Sequence, residues 1–266
     1  MELSGRTALL TGATGGLGRA IAGALAPRGA KLILSGRKAE ALEALAAELP
    51  GEGHRVLPAD LAEPGAAEKI AAEAGEVDVL VANAGLPGTG RLPDYSIEQL
   101  TGTLRVNLEA PILLARALEP GMLSRGSGHM VFISSLSGKS ATPLSSIYNA
   151  TKFGLRGFAL GLRADLDPLG IGVSIVSPGT IRDAGMYADS GAPPIPGLGT
   201  GTPAQVAAAV VKAIEKNKVE VTVAPPQQRL LAHFALTSPG IAVKIASGEQ
   251  GQKAAATVAK GQSDKR

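Results

Sequence analysis

Residues 7–18 read TALLTGATGGLG, and this stretch decides the fold. A short apolar run ends in a glycine-rich turn, and the turn opens directly into a helix-compatible segment at 18–27. Glycines in such a turn let the backbone bend tightly and approach a pyrophosphate, whose charge is favoured at a helix N-terminus. The turn is informative because it follows the first strand of a strand–helix–strand unit; a tight strand-to-helix turn needs glycine in any case. Two spacings fit: Gly12, Gly16 and Gly18 match G-x-x-x-G-x-G, whereas Gly12, Gly15 and Gly18 match G-x-x-G-x-x-G.

Outward from that turn the same rhythm repeats. Residues 31–35, 55–58, 78–82, 130–134, 173–177 and 220–224 are short runs rich in Val, Ile and Leu that read as buried strands. Between them, 39–49, 65–74, 97–119, 147–166 and 203–216 read as helices, the last announced by a Thr202-Pro203-Ala204-Gln205 capping box. Alternation of this kind predicts an α/β, Rossmann-type, doubly wound sheet of about seven mostly parallel strands with helices on both faces. Residues 1–224 are expected to form one dinucleotide-binding and catalytic domain. Residues 184–201, rich in Gly and Pro, read as a lid; 225–246 as an apolar C-terminal extension; 247–266 as a disordered tail.

Composition narrows the function. The 266 residues are 45% hydrophobic but only 3% aromatic, without tryptophan, so aliphatic side chains must build the core. The chain has no cysteine, which excludes disulfides, thiolate metal sites and cysteine nucleophiles. A net charge of +3, without a long basic run, argues against nucleic-acid binding. No signal peptide or membrane span is legible, and the expected location is the cytoplasm. Gly138-Lys139-Ser140 ends like a phosphate-binding loop, but Ile133 stands where its first glycine is required. His54, His129 and His233 are scattered without metal-ligand spacing, so no metal is expected.

The chemistry concentrates elsewhere. Gly12, Thr14, Gly15, Gly16, Leu17 and Gly18 are the expected pyrophosphate contacts. After the second strand, an NAD site usually places an acid on the ribose 2′-hydroxyl. Here Ser35-Gly36-Arg37 stands instead, and Arg37 with Ser35 suits a 2′-phosphate, favouring NADP(H) over NAD(H). Asp60 and Leu61 follow the third strand beside the expected adenine, and Asn83, Ala84 and Gly85 end the fourth. Tyr148 and Lys152 lie i, i+4 on one helical face, with Ser135 thirteen residues upstream of the tyrosine at a strand end. An ammonium beside a phenol is expected to lower the phenol's pKa from about 10 and make it an acid/base catalyst.

Together, TGATGGLG, NAG at 83–85, Asn107, the ISS ending at Ser135, YNATK and SPG at 177–179 resemble the compact, single-domain short-chain dehydrogenase/reductase family. The resemblance covers about residues 4–224. It implies that Tyr148 protonates the carbonyl oxygen while the nicotinamide supplies hydride. It implies that Lys152 holds the nicotinamide ribose, Ser135 orients the substrate oxygen, and Asn107 anchors a water in a proton relay. Pro178, Gly179 and Ile181 would pass beside the nicotinamide. One position departs: Asp183 stands where the family usually has Thr or Ser, and an ionised carboxylate would repel phosphate unless Arg182 offsets it.

In the extension, Leu230, Leu231 and Phe234 could share an apolar side. They would pack on the domain or a second subunit, or contact a membrane surface peripherally through 225–246. Leu136, Pro143, Leu144, Ile195 and Leu198 near the expected pocket favour an apolar carbonyl or alcohol substrate. A homo-oligomer, dimer or tetramer, is implied by resemblance. The competing reading is a catalytically silent dinucleotide-binding regulator or scaffold, since fold alone does not fix function.

Overall fold

The computed structural model describes residues 1–194 and 197–265. Seven strands, β1 (Thr7–Thr11), β2 (Lys31–Gly36), β3 (Arg55–Pro58), β4 (Val79–Ala82), β5 (Gly128–Ile133), β6 (Ile171–Pro178) and β7 (Glu220–Val223), form one parallel sheet. Their order is β3-β2-β1-β4-β5-β6-β7. The winding reverses between β1 and β4, so a crevice opens at the carboxyl ends of those two strands, where Gly12 and Asn83 stand.

The strands are apolar on both sides because helices cover both faces. Ala8, Leu10, Leu32 and Leu34 point to the face covered by α1 (Gly16–Leu25), α2 (Ala39–Glu48) and α8 (Pro203–Glu215). Leu9, Ile33, Leu80 and Phe132 point to the other, under α3 (Ala66–Ala74), α5 (Ala110–Arg125) and α6 (Ser146–Leu166). On that second face Phe132 meets Phe158 of α6 edge-on, centroids 5.6 Å apart. Each fully buried leucine contributes roughly 2 kcal/mol of transfer free energy. At the head of α8 the capping box forms, with Thr202 N donating to Gln205 Oε1 at 3.0 Å.

Three sequence expectations need correction. The helix expected over 97–119 is broken: α4 (Ile97–Leu104) passes into a π-helical turn, Arg105–Glu109, before α5. Such wider turns re-aim a side chain, and here the side chain is Asn107. The extension forms α9 (Pro226–Thr237) and α10 (Pro239–Ala246), but Leu230 and Leu231 are not on the packed side of α9. Gln228, Ala232 and Ala235 face inward, with the Gln228 amide bonded to the backbone of Thr180, Leu198 and Gly199, leaving Leu230 70% exposed. The tail is not disordered: Glu249–Gly261 is helix α11, and Ala259 and Gln262 are buried. The lid region carries a short helix, α7 (Met186–Asp189).

Candidate active site

The glycine turn is shaped by close approaches. Gly12 has φ +64°, and a Cβ there would lie 2.8 Å from the Ala84 Cα of the neighbouring strand end. A Cβ on Gly18 would run into the Gly12 carbonyl oxygen, so α1 can start this near the turn only with glycine. Gly16 packs against Ala184, whereas Gly15 is extended and meets nothing closer than 3.4 Å. The contacts therefore select the Gly12, Gly16, Gly18 spacing. The strand ends are sewn together by Thr11, whose Oγ1 accepts from Asn83 N at 3.1 Å and Ala84 N at 3.0 Å. Asn83 Nδ2 returns bonds to the Thr11 and Gly12 carbonyls at 3.0 and 3.1 Å. The N-terminus of α1 carries no side-chain cap and no acid in its first turn, leaving its amides for an anion.

Beyond β2, Arg37 is exposed and makes no ion pair among the described residues, while Ser35 is buried. Gly36 leaves room for the Thr14 hydroxyl, 3.5 Å from where its Cβ would be. Asp60 uses one oxygen on Ala62 N at 2.9 Å, and Leu61 is buried behind it.

The residues expected to carry the chemistry lie past β5 and β4. Ser135 follows β5 in extended conformation, and its Oγ accepts from Ser137 N at 3.1 Å. The first turn of α6 is held by the loop after β4: Tyr148 N donates to the Gly88 carbonyl at 3.2 Å, and a Cβ on Gly88 would lie 2.7 Å from Tyr148 N. Lys152, 3% exposed, donates to the Ile133 carbonyl at 2.9 Å and sits 5.6 Å from the Tyr148 ring centroid. An ammonium has three donors, and Ile133 takes one; the others remain for hydroxyls such as those of a ribose.

Burial dominates the electrostatics. It pulls the Lys152 ammonium down to about 8. It pushes the half-buried Tyr148 phenol up to about 12, although the Ser135 hydroxyl pulls the other way. The expected depression of the phenol is therefore not what the structure shows, because loss of solvent outweighs the Ser135 hydroxyl. A phenol in this state holds its proton at neutral pH and gives it up only where nearby charge stabilises the phenolate.

Asn107 is fully buried. Its amide donates to the Leu86 carbonyl at 2.9 Å and to Thr151 Oγ1 at 3.5 Å, and Leu86 N donates to its Oδ1 at 2.7 Å. Thr151 Oγ1 in turn donates to the Tyr148 carbonyl at 2.8 Å. The π turn thus joins the β4 loop to α6 through Asn107, and Lys152 is not among its partners. Residues that the sequence reading did not single out complete the frame. Asn149 Nδ2 donates to the Ser137 and Ser140 carbonyls at 2.7 and 3.1 Å, holding the segment after Ser135 over α6. Its place inside YNATK was the available signal; Gly88 carried none.

After β6, Gly179 N donates to the Val223 carbonyl at 2.9 Å, and Ile181 is buried and bridges to Gly201. Asp183 has φ +70°, the left-handed region that β-branched residues such as Thr rarely adopt and that aspartate tolerates. Its exposed carboxylate pairs with Arg182 Nε at 3.2 Å. Ala184 then rests on Gly16, and Met186 Cε lies 3.0 Å from where a Gly85 Cβ would be. Leu136, Pro143, Leu144 and Leu198 are half-buried around this region; Ile195 lies outside the described residues. His129 is a core residue bonded to Ser174 Oγ at 2.8 Å and held neutral by burial, its pKa down to about 3. Among the described residues no cluster has the donors for a metal. No helix there is long and apolar enough to cross a membrane. A separate cavity of about 500 Å³ opens along the outer edge of β7, lined by Lys139, Lys212, Lys218 and Arg229; Ser135, Tyr148 and Lys152 do not line it.

Residues 6–193 match the family model for short chain dehydrogenase. The chain belongs to the short-chain dehydrogenase/reductase family. It is 36% identical over 259 residues to dehydrogenase/reductase SDR family member 7B of Bos taurus, a match covering 89% of this chain and 79% of the relative. It is 36% identical over 229 residues to the ketoacyl reductase HetN of a Nostoc strain, covering 83% and 79%. A short-chain dehydrogenase from Sphingobium yanoikuyae, solved in complex with NADPH, superposes with a TM-score of 0.77 at 28% identity, covering 88% of this chain and 93% of that one. This family member is accordingly an oxidoreductase of the CH–OH group, in a family that binds a nicotinamide dinucleotide.

Proposed function

We propose that this short-chain dehydrogenase/reductase uses NADP(H) to interconvert an apolar ketone and its secondary alcohol, with Tyr148 as the general acid/base. One observation carries the reading: a buried ammonium, Lys152, lies under the ring of a phenol that also feels the Ser135 hydroxyl. Tyr148 donates its proton to the carbonyl oxygen, and Ser135 orients that oxygen. Lys152 supplies positive charge that stabilises the phenolate left behind, and its spare donors suit the nicotinamide ribose. The bound dinucleotide supplies the hydride. Asn107 holds the loop carrying Gly85 and Leu86 against α6, which is a positioning task; a water-linked relay to Lys152 would add to it.

The glycine turn, from Gly12 to Gly18, suits the pyrophosphate, with Asp60, Leu61 and the Asn83–Gly85 end completing the groove. Arg37, free of any ion pair among the described residues, and Ser35 suit a 2′-phosphate. NADPH in the Sphingobium neighbour supports the same preference. Pro178, Gly179 and Ile181 line the nicotinamide end.

Turnover of bicyclic and small polar ketones with NADPH and with NADH tests the reading. The expected result is preference for bicyclic ketones and at least about tenfold higher kcat/KM with NADPH, the worth of one charge-assisted contact. Tight NADPH binding without turnover of any ketone would favour the silent binding protein instead. The outward Leu230, Ile241 and Ile245, each more than half exposed, favour a peripheral membrane contact by α9 and α10, which liposome co-sedimentation tests. A homo-oligomer through α5 and α6 in a cytoplasmic enzyme is tested by light scattering.

A further inference from the structure

The segment after β6 is held at its base and at the start of α7 by two buried glutamines, one in α9 and one just past α11. Gln228 of α9, 7% exposed, accepts from Thr180 N at 3.1 Å. Its amide nitrogen donates to the Leu198 and Gly199 carbonyls at 3.3 and 2.8 Å. One side chain thus gathers the start and the return of the 180–199 excursion at its base. Gln262, just past α11 and 3% exposed, does the corresponding work at the tip. Its Nε2 donates to the Met186 carbonyl at 2.7 Å, and its Oε1 accepts from the Thr89 hydroxyl at 2.6 Å.

Thr89 belongs to the rim that follows β4, one residue beyond Gly88, which touches Tyr148. Met186 starts α7 and reaches Gly85. Gln262 therefore bridges the loop after β4, which touches Tyr148, to the start of α7. Gly261 lies so near the Ser190 carbonyl that a Cβ would overlap it, so α11 approaches the end of α7 as closely as backbones allow. Burying an amide costs free energy unless both of its ends are bonded, and here both are. Polar satisfaction that complete ties the end of α11 to the loop after β4 and to α7.

We propose that Gln262 is a positioning residue that pins Met186 to Thr89, making α11 the outer wall of the substrate entrance and limiting the bulk of ketone admitted. The hinge is the Gln228 base; the movable part is the 184–190 segment. Substrate admission rests on the carbonyl-reductase reading above, whereas the pin itself does not.

Two readouts separate them. Hydrogen exchange of amides 186–190 in the full chain is measured for wild type, Gln262→Ala, Thr89→Val and Thr89→Ser. Loss of one buried hydrogen-bonded contact should speed exchange about tenfold in the first two variants, with Thr89→Ser restoring the wild-type rate. The kcat/KM ratio for a bulky bicyclic ketone against acetone-sized ketones should rise in Gln262→Ala and Thr89→Val, again with rescue by serine, while NADPH affinity stays within threefold. Unchanged exchange in both variants overturns the pin. Faster exchange with an unaltered ketone ratio overturns the entrance wall. If wild type reduces no ketone, the functional reading fails, and exchange still decides the pin.

Discussion

Replacing Lys152 by Met should abolish catalysis and, at the same time, stabilise the fold. The ammonium is 3% exposed and has one protein acceptor, the Ile133 carbonyl. Burial lowers its pKa from 10.5 to about 8. At 1.36 kcal/mol per pH unit, keeping it charged in the folded state costs on the order of 3 kcal/mol. Methionine fills a similar volume without charge but strands the Ile133 carbonyl, a loss of about 1 kcal/mol. The net gain is about 2 kcal/mol at pH 7, roughly 4–8 °C in Tm for a chain of this size. The folded pKa lies below the unfolded one, so between pH 8 and 10.5 only the unfolded wild-type chain keeps the proton, and wild-type stability rises with pH there. The variant's advantage should be full below about pH 8, shrink across that window and reverse by its top to a deficit of under about 1 kcal/mol, where only the stranded Ile133 carbonyl still counts. Urea denaturation followed by circular dichroism at pH 7 and pH 10.5 checks both statements. A variant less stable than wild type at pH 7, or an advantage that ignores pH, would refute the reasoning.

The same titration should shape catalysis: carbonyl reduction should fall above about pH 8, as Lys152 loses the charge that stabilises the phenolate, and a flat profile to pH 10 would oppose this. Arg37→Ala should raise the KM for NADPH on the order of tenfold to a hundredfold and leave that for NADH unchanged, because a 2′-phosphate loses a charge-assisted partner. Equal effects on both cofactors would remove Arg37 from the phosphate site.

Sequence pattern carried most of the fold because the sheet is buried on both faces. Val79–Ala82 is wholly apolar, and Ile171–Pro178, buried throughout, breaks only at Ser174 and Ser177 between Gly170 and Gly179. The π turn was invisible, since one added residue in residues 97–125 barely disturbs a helical pattern, yet it decides where Asn107 points. Which glycine spacing applies depended on Ala184 arriving from far along the chain to touch Gly16. The terminal helix was hidden for a similar reason. Its order rests on Ala259 and Gln262 meeting partners elsewhere; the local signal was its four alanines, set against two glycines and a largely polar remainder. The raised Tyr148 pKa follows from burial, a property of packing that the Tyr148–Lys152 spacing alone does not contain.

The central claim is that the Tyr148 hydroxyl is the proton donor. Single-turnover oxidation of NADPH by an accepted ketone, in wild type and Tyr148→Phe, measures it most directly, with NADPH binding followed separately by fluorescence. In Tyr148→Phe the rate should fall by about 10²–10⁴-fold, the usual worth of a positioned acid, at essentially unchanged NADPH affinity. A phenylalanine variant that turns over at the wild-type rate would contradict it.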